Sequence, residues 1–226
     1  MPARKPLAVV LLSGGLDSST CLYWAKSRGY RCVALSAAYG QRHDKELGSA
    51  RRLAKAARTP LHAVRLSLPW LRKSSLVDRS KRLPRTALSR IGRGKIPSTY
   101  VPGRNTIFLA LAISLADAWG AEAVVIGANA VDFSGYPDCR PAFYRAFRSV
   151  FRQGTRRGSS GKPVKILAPL LKLNKAGIAR LARKLRVPLR LTWSCYAGLK
   201  KPCGVCDSCK LRAKGFAQAG FVDPAV

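Results

Sequence analysis

The chain has few acidic residues. Against 42 Lys and Arg there are only 10 Asp and Glu, so the 226 residues carry a formal net charge of +32 at pH 7. Such a surface would attract polyanions such as RNA at low salt without a specific site. Because acids are scarce, those in Gly-, Pro- or aromatic-rich contexts are the better functional candidates: Asp17, Asp132 and Asp138. We expect solvated surface roles for four acids in helix-like or element-edge contexts: Asp44, Glu46, Asp117 and Glu122.

Long hydrophobic runs are also lacking. The longest candidate, Ile107–Trp119, contains Ser and Asp and falls short of the roughly 18 residues that a membrane-spanning helix needs. We therefore expect no membrane association. The N-terminal apolar run is short and no small-residue cleavage site follows it, so it is predicted to be a strand and not a signal peptide. Seven cysteines, four of them clustered, fit a reducing cytoplasm better than a disulfide framework.

Strand-like runs alternate with helix-like segments. The predicted strands are Leu7–Leu12, Arg31–Ala37, Leu61–Leu66, Ala123–Ile126 and Val164–Ala168. The predicted helices lie near Ser18–Arg28, His43–Arg58, Arg104–Trp119, Pro141–Phe151 and Lys175–Leu185. This alternation predicts an α/β fold, a Rossmann-like parallel sheet with helices on both faces. We expect this domain to occupy residues 1–191 and a small cysteine-bearing module to occupy 192–226.

A basic segment interrupts the alternation at about residues 67–99. Its part from Arg72 to Lys95 contains nine basic residues and one acid, with Ser, Pro and Gly interspersed. Two interpretations stay open: a mobile surface insertion that closes over bound phosphates, or a disordered loop with no role. A second loop, rich in Gly and Ser, is predicted from Gly154 to Pro163.

The most informative segment is LAVVLLSGGLDS, where the first predicted strand passes into a helix. Gly14 and Gly15 would let backbone N–H groups approach an anion closely, and the helix N-terminus adds partial positive charge. Ser13 and Ser18 add hydroxyl donors. Asp17 would repel a phosphate unless a divalent cation lay between them, which points to Mg²⁺. The alternative is a capped strand-to-helix turn without a ligand.

This motif resembles the PP-loop of the N-type ATP pyrophosphatases and lacks the Gly-Lys-Ser/Thr of a Walker A loop. The resemblance implies that ATP is cleaved between its α and β phosphates and that AMP passes to an acceptor oxygen. It places ATP against the residues Leu12, Ser13, Gly14, Gly15, Leu16, Asp17, Ser18, Ser19, Thr20, Cys21 and Leu22.

Four cysteines near the C-terminus have the spacing C-x7-C-x2-C-x2-C: Cys195, Cys203, Cys206 and Cys209. Four thiolates would close a tetrahedral site around one structural Zn²⁺. An iron–sulfur cluster is the alternative, although a cluster that transfers sulfur would need three ligands and an open iron. The other three cysteines are expected to be buried small apolar residues.

The segment GANAVDFSGYPDCRP follows a predicted strand, so it would lie at the carboxyl edge of the sheet, where ligands bind in such folds. Asp132 and Asp138 offer carboxylates for the paired N–H donors of a guanine-type base, and Phe133 and Tyr136 offer stacking surfaces. The alternative is a turn in which the Asp side chains make only local hydrogen bonds.

Two basic residues stand at predicted helix starts. Arg104 opens the apolar helix after Pro-Gly, and Lys175 lies in the first turn of a helix capped by Asn174. Both positions suit a cation that faces phosphate. Each residue could instead be one of many surface charges.

The chain as a whole is similar to the 7-cyano-7-deazaguanine synthase family over nearly its full length. The similarity rests on SGGLDSSTCL, YGQRH, YVPGRN, GANAVDFSGYPDCRP and WSCY…CGVCDSC. It implies an ATP-dependent C–N ligase of queuosine biosynthesis that joins 7-carboxy-7-deazaguanine to ammonia and forms the nitrile through acyl adenylate and amide intermediates. The catalytic residues it implies are Asp17, Ser18, Arg104 and Lys175, and the substrate residues are Asp132, Phe133, Tyr136, Asp138 and Arg140.

Two features depart from this resemblance. We would expect the family to have a more balanced surface charge, and the basic surface leaves association with RNA open. Gly177 stands where Glu would complete a capping box after Asn174. A tRNA-modifying PP-loop enzyme that adenylates a base is the alternative function. The expected location is the cytoplasm, and a homodimer is compatible with the sequence.

Overall fold

A parallel sheet forms the centre of the fold. The computed structural model describes residues 4–42, 44–92, 96–129 and 136–225. Five strands pair in the order β3-β2-β1-β4-β5, and all four pairings are parallel. The strands are β1 (Leu7–Leu11), β2 (Arg31–Ala38), β3 (Leu61–Arg65), β4 (Ala123–Val125) and β5 (Lys165–Leu167).

Seven α-helices in the described residues connect and cover the strands. They are α1 (Leu16–Ser27), α2 (Lys45–Ala56), α3 (Arg104–Trp119), α4 (Pro141–Gln153), α5 (Arg156–Ser159), α6 (Lys175–Lys184) and α7 (Asp207–Ala219). Three short 3₁₀ helices lie at Pro69–Lys73, Pro137–Cys139 and Leu189–Leu191. In the part of the chain that the structure describes, no helix is long and apolar enough to cross a membrane.

Helices cover both faces of the sheet, as the sequence predicts. Every residue of β1 is buried, since successive side chains enter opposite cores. Ala8 and Val10 pack with residues of α1, α2, α6 and α7. Val9 and Leu11 pack on the other face with residues of α3 and α4. The α/β prediction is confirmed.

The strand order reverses between β1 and β4. The chain builds outward from β1 to β3 on one side and from β4 to β5 on the other. In such sheets the connections at the carboxyl ends diverge at this switch point and leave a crevice there. The loop between β1 and α1 therefore opens onto a crevice.

The predicted strands and helices agree with the structure to within a few residues, but two helices were missed. Helix α7 begins directly after Cys206 and contains Cys209, in a segment whose cysteine spacing predicts metal ligands and not a helix. Helix α5 lies inside the predicted Gly- and Ser-rich loop, with Thr155 as its N-cap. In α7, Phe216 is buried in the same core as β1, so the tail packs directly on the sheet domain. The boundary between residues 191 and 192 stays a prediction.

The basic segment makes extensive contacts in its described residues. The Arg42 guanidinium donates to the carbonyls of Ser75 at 2.8 Å and Asp78 at 2.9 Å, and also to those of Arg79 and Lys81. Farther along, the backbone N–H and hydroxyl of Thr86 donate to the Asp207 carboxylate at 2.8 and 2.9 Å. The segment is thus joined to α7 beside the cysteines.

Candidate active site

A cavity of about 260 Å³ lies at the switch point. Its described lining comes from the β1–α1 loop, the end of β2, the first turns of α2, α3 and α6, and the segment that leads into the cysteines. Most of the predicted phosphate-binding loop, residues 13–18 and called the cradle below, lines this cavity; only Gly14 of that loop does not. Arg104, Lys175 and Tyr136 line it as well. The structure therefore brings together residues that are far apart in the sequence.

The β1–α1 loop is held against α2. Gly14 has φ of +86°, and a Cβ there would lie 2.4 Å from the Glu46 carbonyl oxygen and 2.6 Å from the Ala50 nitrogen. No side chain fits in that space. A Cβ on Gly15 would make only ordinary contacts. The close packing of loop and helix fixes Gly14, whereas Gly15 leaves the loop open towards the cavity.

Hydroxyl groups divide the loop into two sides. The Ser13 and Ser18 oxygens lie 3.0 Å apart beside the cavity, and the Ser13 N–H donates to the Ser18 hydroxyl oxygen at 3.2 Å. Ser19 and Thr20 donate back to the first turn of α1, each at 2.7 Å. Ser13 and Ser18 thus border the cavity, while Ser19 and Thr20 stabilise the helix start.

The expected ATP-binding residues divide in the same way. The cavity is lined by Leu12, Ser13, Gly15, Leu16, Asp17 and Ser18. The rest do not line it: Gly14 packs on α2, Ser19 and Thr20 bond to their own helix, and Cys21 and Leu22 are buried in the core.

Asp17 is the central charged group of the cavity. One carboxylate oxygen, Oδ2, accepts from Lys175 Nζ at 2.5 Å and from Asn129 Nδ2 at 2.8 Å. The other oxygen, Oδ1, is buried and has no hydrogen-bond partner within the described residues. A buried carboxylate oxygen left in this state is a suitable ligand for a hard divalent cation.

Lys175 reaches Asp17 from the first position of α6. The Asn174 side chain caps this helix by accepting the Gly177 N–H at 2.8 Å, which is the cap that the sequence predicts. Helix α7 crosses close by, and a Cβ on Gly215 would lie only 2.7 Å from Lys175 Cβ. The position of Lys175 therefore depends on both helices.

Arg104 begins α3 and lines the opposite side of the cavity. Burial raises the pKa of the Tyr39 phenol and of the Glu46 carboxyl, and the nearby Arg104 guanidinium offsets part of both rises. Asp138 stabilises the start of the same helix, because its Oδ2 accepts the Asn105 N–H at 3.1 Å. Arg104 therefore lies in the cavity, where the prediction of a cation facing phosphate requires it, and not among the surface charges that were the alternative.

The expected substrate residues lie in different places. Tyr136 lines the cavity, with its hydroxyl 2.9 Å from the Thr99 hydroxyl and its ring stacked on Tyr100. Asp138 is buried below the cavity at the start of α3, and Arg140 is exposed. Asp132 and Phe133 lie outside the described residues.

The four tail cysteines form one cluster. The sulfur atoms of Cys195, Cys203, Cys206 and Cys209 all lie within 4.8 Å of one another. The Cys195 sulfur accepts backbone N–H groups from Ala197 at 3.4 Å and Cys203 at 3.3 Å. A tetrahedral metal with Zn–S bonds of about 2.3 Å would need sulfur atoms about 3.8 Å apart. The cluster could therefore hold a metal.

The thiols also affect one another's ionisation. Hydrogen bonds from Cys206 and Cys209 lower the pKa of Cys195, while the bond to Cys195 raises the pKa of Cys206 to about 11. Hydrogen bonds to the same neighbours raise the pKa of Cys209. These thiols cannot all ionise together unless a cation offsets their charge.

The segment before Cys195 connects this cluster to the nucleotide cradle. The Trp193 N–H donates to the Gly14 carbonyl at 2.9 Å. The buried Arg212 of α7 donates to the hydroxyls of Thr192 at 2.9 Å and Ser194 at 3.0 Å, and forms an ion pair with Asp223. Trp193, Ser194 and Arg212 also line the cavity.

A family model described as "Queuosine biosynthesis protein QueC" matches residues 7–220 of the chain. The chain belongs to this family. The match covers the cradle, Arg104, Lys175 and all four clustered cysteines. It confirms the resemblance drawn from the sequence motifs and the expectation of an enzyme of queuosine biosynthesis.

Named relatives agree with the QueC assignment. The 7-cyano-7-deazaguanine synthase of Anaeromyxobacter sp. is 50% identical over 228 residues, covering 99% of this chain and 98% of the relative. The protein of the same name from Nostoc punctiforme is 52% identical over 220 residues, covering 97% and 98%.

Among solved structures, the QueC chain is similar to the NMN synthetase of Francisella tularensis. The match covers 89% of this chain and 71% of the synthetase, with a TM-score of 0.51 and 15% identity. At this identity the likeness shows a shared fold alone.

Sequence reasoning missed two charged residues of the QueC site. Glu46 was expected on the surface, but it is partly buried, lines the cavity, and burial raises its pKa to about 7. Arg212 was not singled out at all. The only signal for Glu46 in the sequence is its position: it lies near the start of the helix that follows a predicted strand, and such a position borders the carboxyl edge of the sheet. The sequence contains no comparable signal for Arg212, because the helix that carries it, α7, was not predicted.

Proposed function

We propose that the chain converts 7-carboxy-7-deazaguanine and ammonia to 7-cyano-7-deazaguanine (preQ0), an intermediate of queuosine biosynthesis, with ATP as the activating substrate. The observation that carries the proposal is the Asp17 carboxylate, which holds Lys175 with one oxygen and presents a buried, unpartnered second oxygen to the cradle. The names of the QueC relatives supply the substrate class.

The reaction consists of two adenylations. The substrate carboxylate attacks the α-phosphate of ATP, and pyrophosphate leaves. Ammonia then attacks the acyl carbon, displaces AMP and leaves an amide. A second ATP activates the amide oxygen, and loss of that oxygen with AMP and of the nitrogen protons gives the nitrile. The enzyme needs no covalent nucleophile of its own in this sequence.

The residues of the cradle stabilise the phosphates. Ser13 and Ser18 donate hydroxyl hydrogen bonds, and the backbone N–H groups at the start of α1 add their partial positive charge. Lys175 and Arg104 provide fixed positive charge where negative charge builds on the leaving pyrophosphate. A bound Mg²⁺ would supply further charge stabilisation, and Asp17 Oδ1 is the ligand that we assign to it.

The deazaguanine ring would lie on the Tyr136 side of the cavity. The Tyr136 ring is oriented by Tyr100 and Thr99 and offers an aromatic surface for the base. We assign the carboxylate that reads the guanine-like edge to Asp132, with Phe133 as a further stacking surface and the exposed Arg140 as a further substrate residue. Asp138 acts on Arg104 by fixing the start of α3.

We assign one structural Zn²⁺ to the four cysteines. Four sulfur ligands fill a tetrahedral shell and leave no open position for chemistry. The N–H groups that point at Cys195 stabilise the thiolate form that such a metal requires. Metal analysis would find about one zinc per chain, whereas iron with acid-labile sulfide would contradict the assignment.

The remaining proposals concern the setting of the enzyme. We assign it to the cytoplasm and to a homodimer. Its charge of +32 would hold RNA without sequence preference, with an affinity that falls steeply as salt increases. A salt titration tests the RNA binding, and light scattering tests the homodimer.

The deciding experiment incubates purified protein with MgATP, ammonium and 7-carboxy-7-deazaguanine and follows products by mass spectrometry. We expect the amide and then the nitrile, with AMP and pyrophosphate. Absence of both products, with AMP released only when tRNA is added, would replace this proposal with a tRNA-modifying PP-loop enzyme.

A further inference from the structure

Glu46 is a second carboxylate in the cavity. It is the second residue of α2, and its backbone lies against Gly14 of the cradle. Asp44, two residues earlier, is exposed, whereas Glu46 is partly buried. Lys45 has partners of its own: its ammonium lies over the Trp193 ring and donates to the Lys200 carbonyl. The start of α2 thus directs one acid into the cavity.

The charged and titratable groups around Glu46 come from several elements. Burial raises the pKa of Glu46 and the charge of Arg104 on α3 lowers it, while the charge of Glu46 adds to the rise that burial causes in the pKa of Tyr39 after β2. The same cavity is lined by Arg42, Asp17, Lys175 and Arg212. Asp17 already holds Lys175 and Asn129. Glu46 is therefore the remaining carboxylate in the described lining of the cavity.

The proposed amination needs a proton acceptor. Near neutral pH ammonia is present mainly as ammonium, which has no lone pair and cannot attack an acyl carbon. The surrounding cations are fixed and cannot take a proton, since Arg104 and Arg42 stay charged. Burial raises the pKa of Glu46 to about 7, while Arg104 lowers it. A carboxylate with a pKa near the working pH is well matched to accept and pass on a proton.

We propose that Glu46 binds ammonium and removes its proton at the acyl adenylate. One proton passes from nitrogen to the Glu46 carboxylate, and the freed lone pair forms the C–N bond. The bond between the acyl carbon and the AMP oxygen breaks, and its electron pair leaves with AMP. The second nitrogen proton goes to water. This assignment rests on the proposed function.

The test separates adenylation from amination. Exchange of labelled pyrophosphate into ATP, measured with 7-carboxy-7-deazaguanine and no ammonium, reports the first step alone. For Glu46→Gln we expect exchange close to that of the unmodified enzyme, but amide formation from ammonium reduced about 10²- to 10⁴-fold at pH 7. The deficit should shrink as pH rises, because free ammonia becomes available. Asp44→Asn is the matched control and should leave both steps unchanged.

A nucleophile that is neutral at pH 7 provides the second readout. Hydroxylamine should trap the acyl adenylate in Glu46→Gln at nearly the rate of the unmodified enzyme, since it needs no deprotonation. Loss of pyrophosphate exchange in Glu46→Gln would overturn the proposal and assign Glu46 to the nucleotide site. Unchanged amide formation, or an equal deficit with hydroxylamine, would overturn it as well. If the unmodified enzyme shows no exchange, the proposed function itself fails.

Discussion

Asp17 and Asp223 each pair with a basic residue of a C-terminal helix, but their carboxylates are used differently. Asp223 has donors on both oxygens: Arg212 Nε donates to Oδ2, and Arg212 Nη2 and the Ala225 N–H donate to Oδ1. Asp17 uses one oxygen for Lys175 and Asn129 and leaves the other unpartnered among the described residues. We call the first pair closed, because both carboxylate oxygens have donors, and the second pair open, because one oxygen has none among the described residues.

The difference follows from where each pair lies. The Arg212 and Asp223 side chains are 8% and 9% exposed, and they join α7 to the C-terminal tail. The Lys175 and Asp17 side chains are both 19% exposed and border the cavity. A closed pair contributes by holding segments together, since removing one partner leaves a buried charge. An open pair keeps a charged oxygen in place for a cation.

Of the substitutions that test this comparison, we expect Arg212→Ala to have the largest effect on stability. Arg212→Ala leaves Asp223 buried and unpaired, and it also removes the donors to Thr192 and Ser194. We expect the free energy of unfolding to fall by about 3–5 kcal/mol, measured by chemical denaturation. The double variant Arg212→Ala, Asp223→Ala should recover part of that loss. A loss below about 1 kcal/mol would show that the pair is not closed as described.

The open pair predicts an effect on catalysis instead. Asp17→Asn removes the charge that holds Lys175 and the oxygen assigned to Mg²⁺. We expect pyrophosphate exchange to fall about 10²- to 10³-fold. The free energy of unfolding should fall less than in Arg212→Ala, because the Asp17 and Lys175 side chains are more exposed than those of the closed pair. Asp223→Asn should show the reverse pattern, with stability lost and exchange retained at temperatures where the variant is folded. If pyrophosphate exchange were unaffected in Asp17→Asn, the assignment of Asp17 to the nucleotide site would be contradicted.

Two glycines test how Lys175 is placed. A Cβ at Gly215 would collide with Lys175, so Gly215→Ala should push α7 away and cost about 1–3 kcal/mol of stability. The KM for ATP should rise as Lys175 moves. The matched control is Gly177→Ala, whose Cβ would make ordinary contacts with Leu173 and Asn174. That variant should gain about 0.5–1 kcal/mol from helix propensity. Equal effects of the two variants would refute the close approach.

The smallest predicted effect concerns the cap of α6. Asn174→Ala removes the acceptor of the Gly177 N–H and should cost about 1 kcal/mol in thermal or chemical unfolding. Asn174→Ser keeps an acceptor and should lose only a fraction of that. Because the cap fixes the first turn that carries Lys175, pyrophosphate exchange should follow the same order. Identical stability of the Ala and Ser variants would mean that the cap contributes little.

Local patterns were sufficient for the centre of the fold. The run before Ser13 predicts β1, and the glycines after it predict the loop, because both depend on neighbours in sequence. The same holds for the Asn174 cap. Cysteine spacing likewise predicts a cluster, which the structure places within 4.8 Å.

Contacts between distant elements could not be predicted in this way. Asp138 has the context of a substrate ligand, yet its carboxylate caps α3, because the 3₁₀ helix before α4 brings it there. Asp117 was expected to be solvated, but it accepts the N–H groups of Arg156 and Arg157 at the start of α5. Glu46 depends on how α2 packs on Gly14. In each case tertiary packing, and not local composition, decides the role of the acid.

The hydrogen bond from Trp193 to Gly14 limits how this chain can be redesigned. It joins the segment before Cys195 to the loop to which we assign the nucleotide, and Arg212 holds the same segment through Thr192 and Ser194. An engineer who transplanted the cradle alone onto another sheet would carry over a loop without its support. The cysteine tail has to be moved with it as a single part.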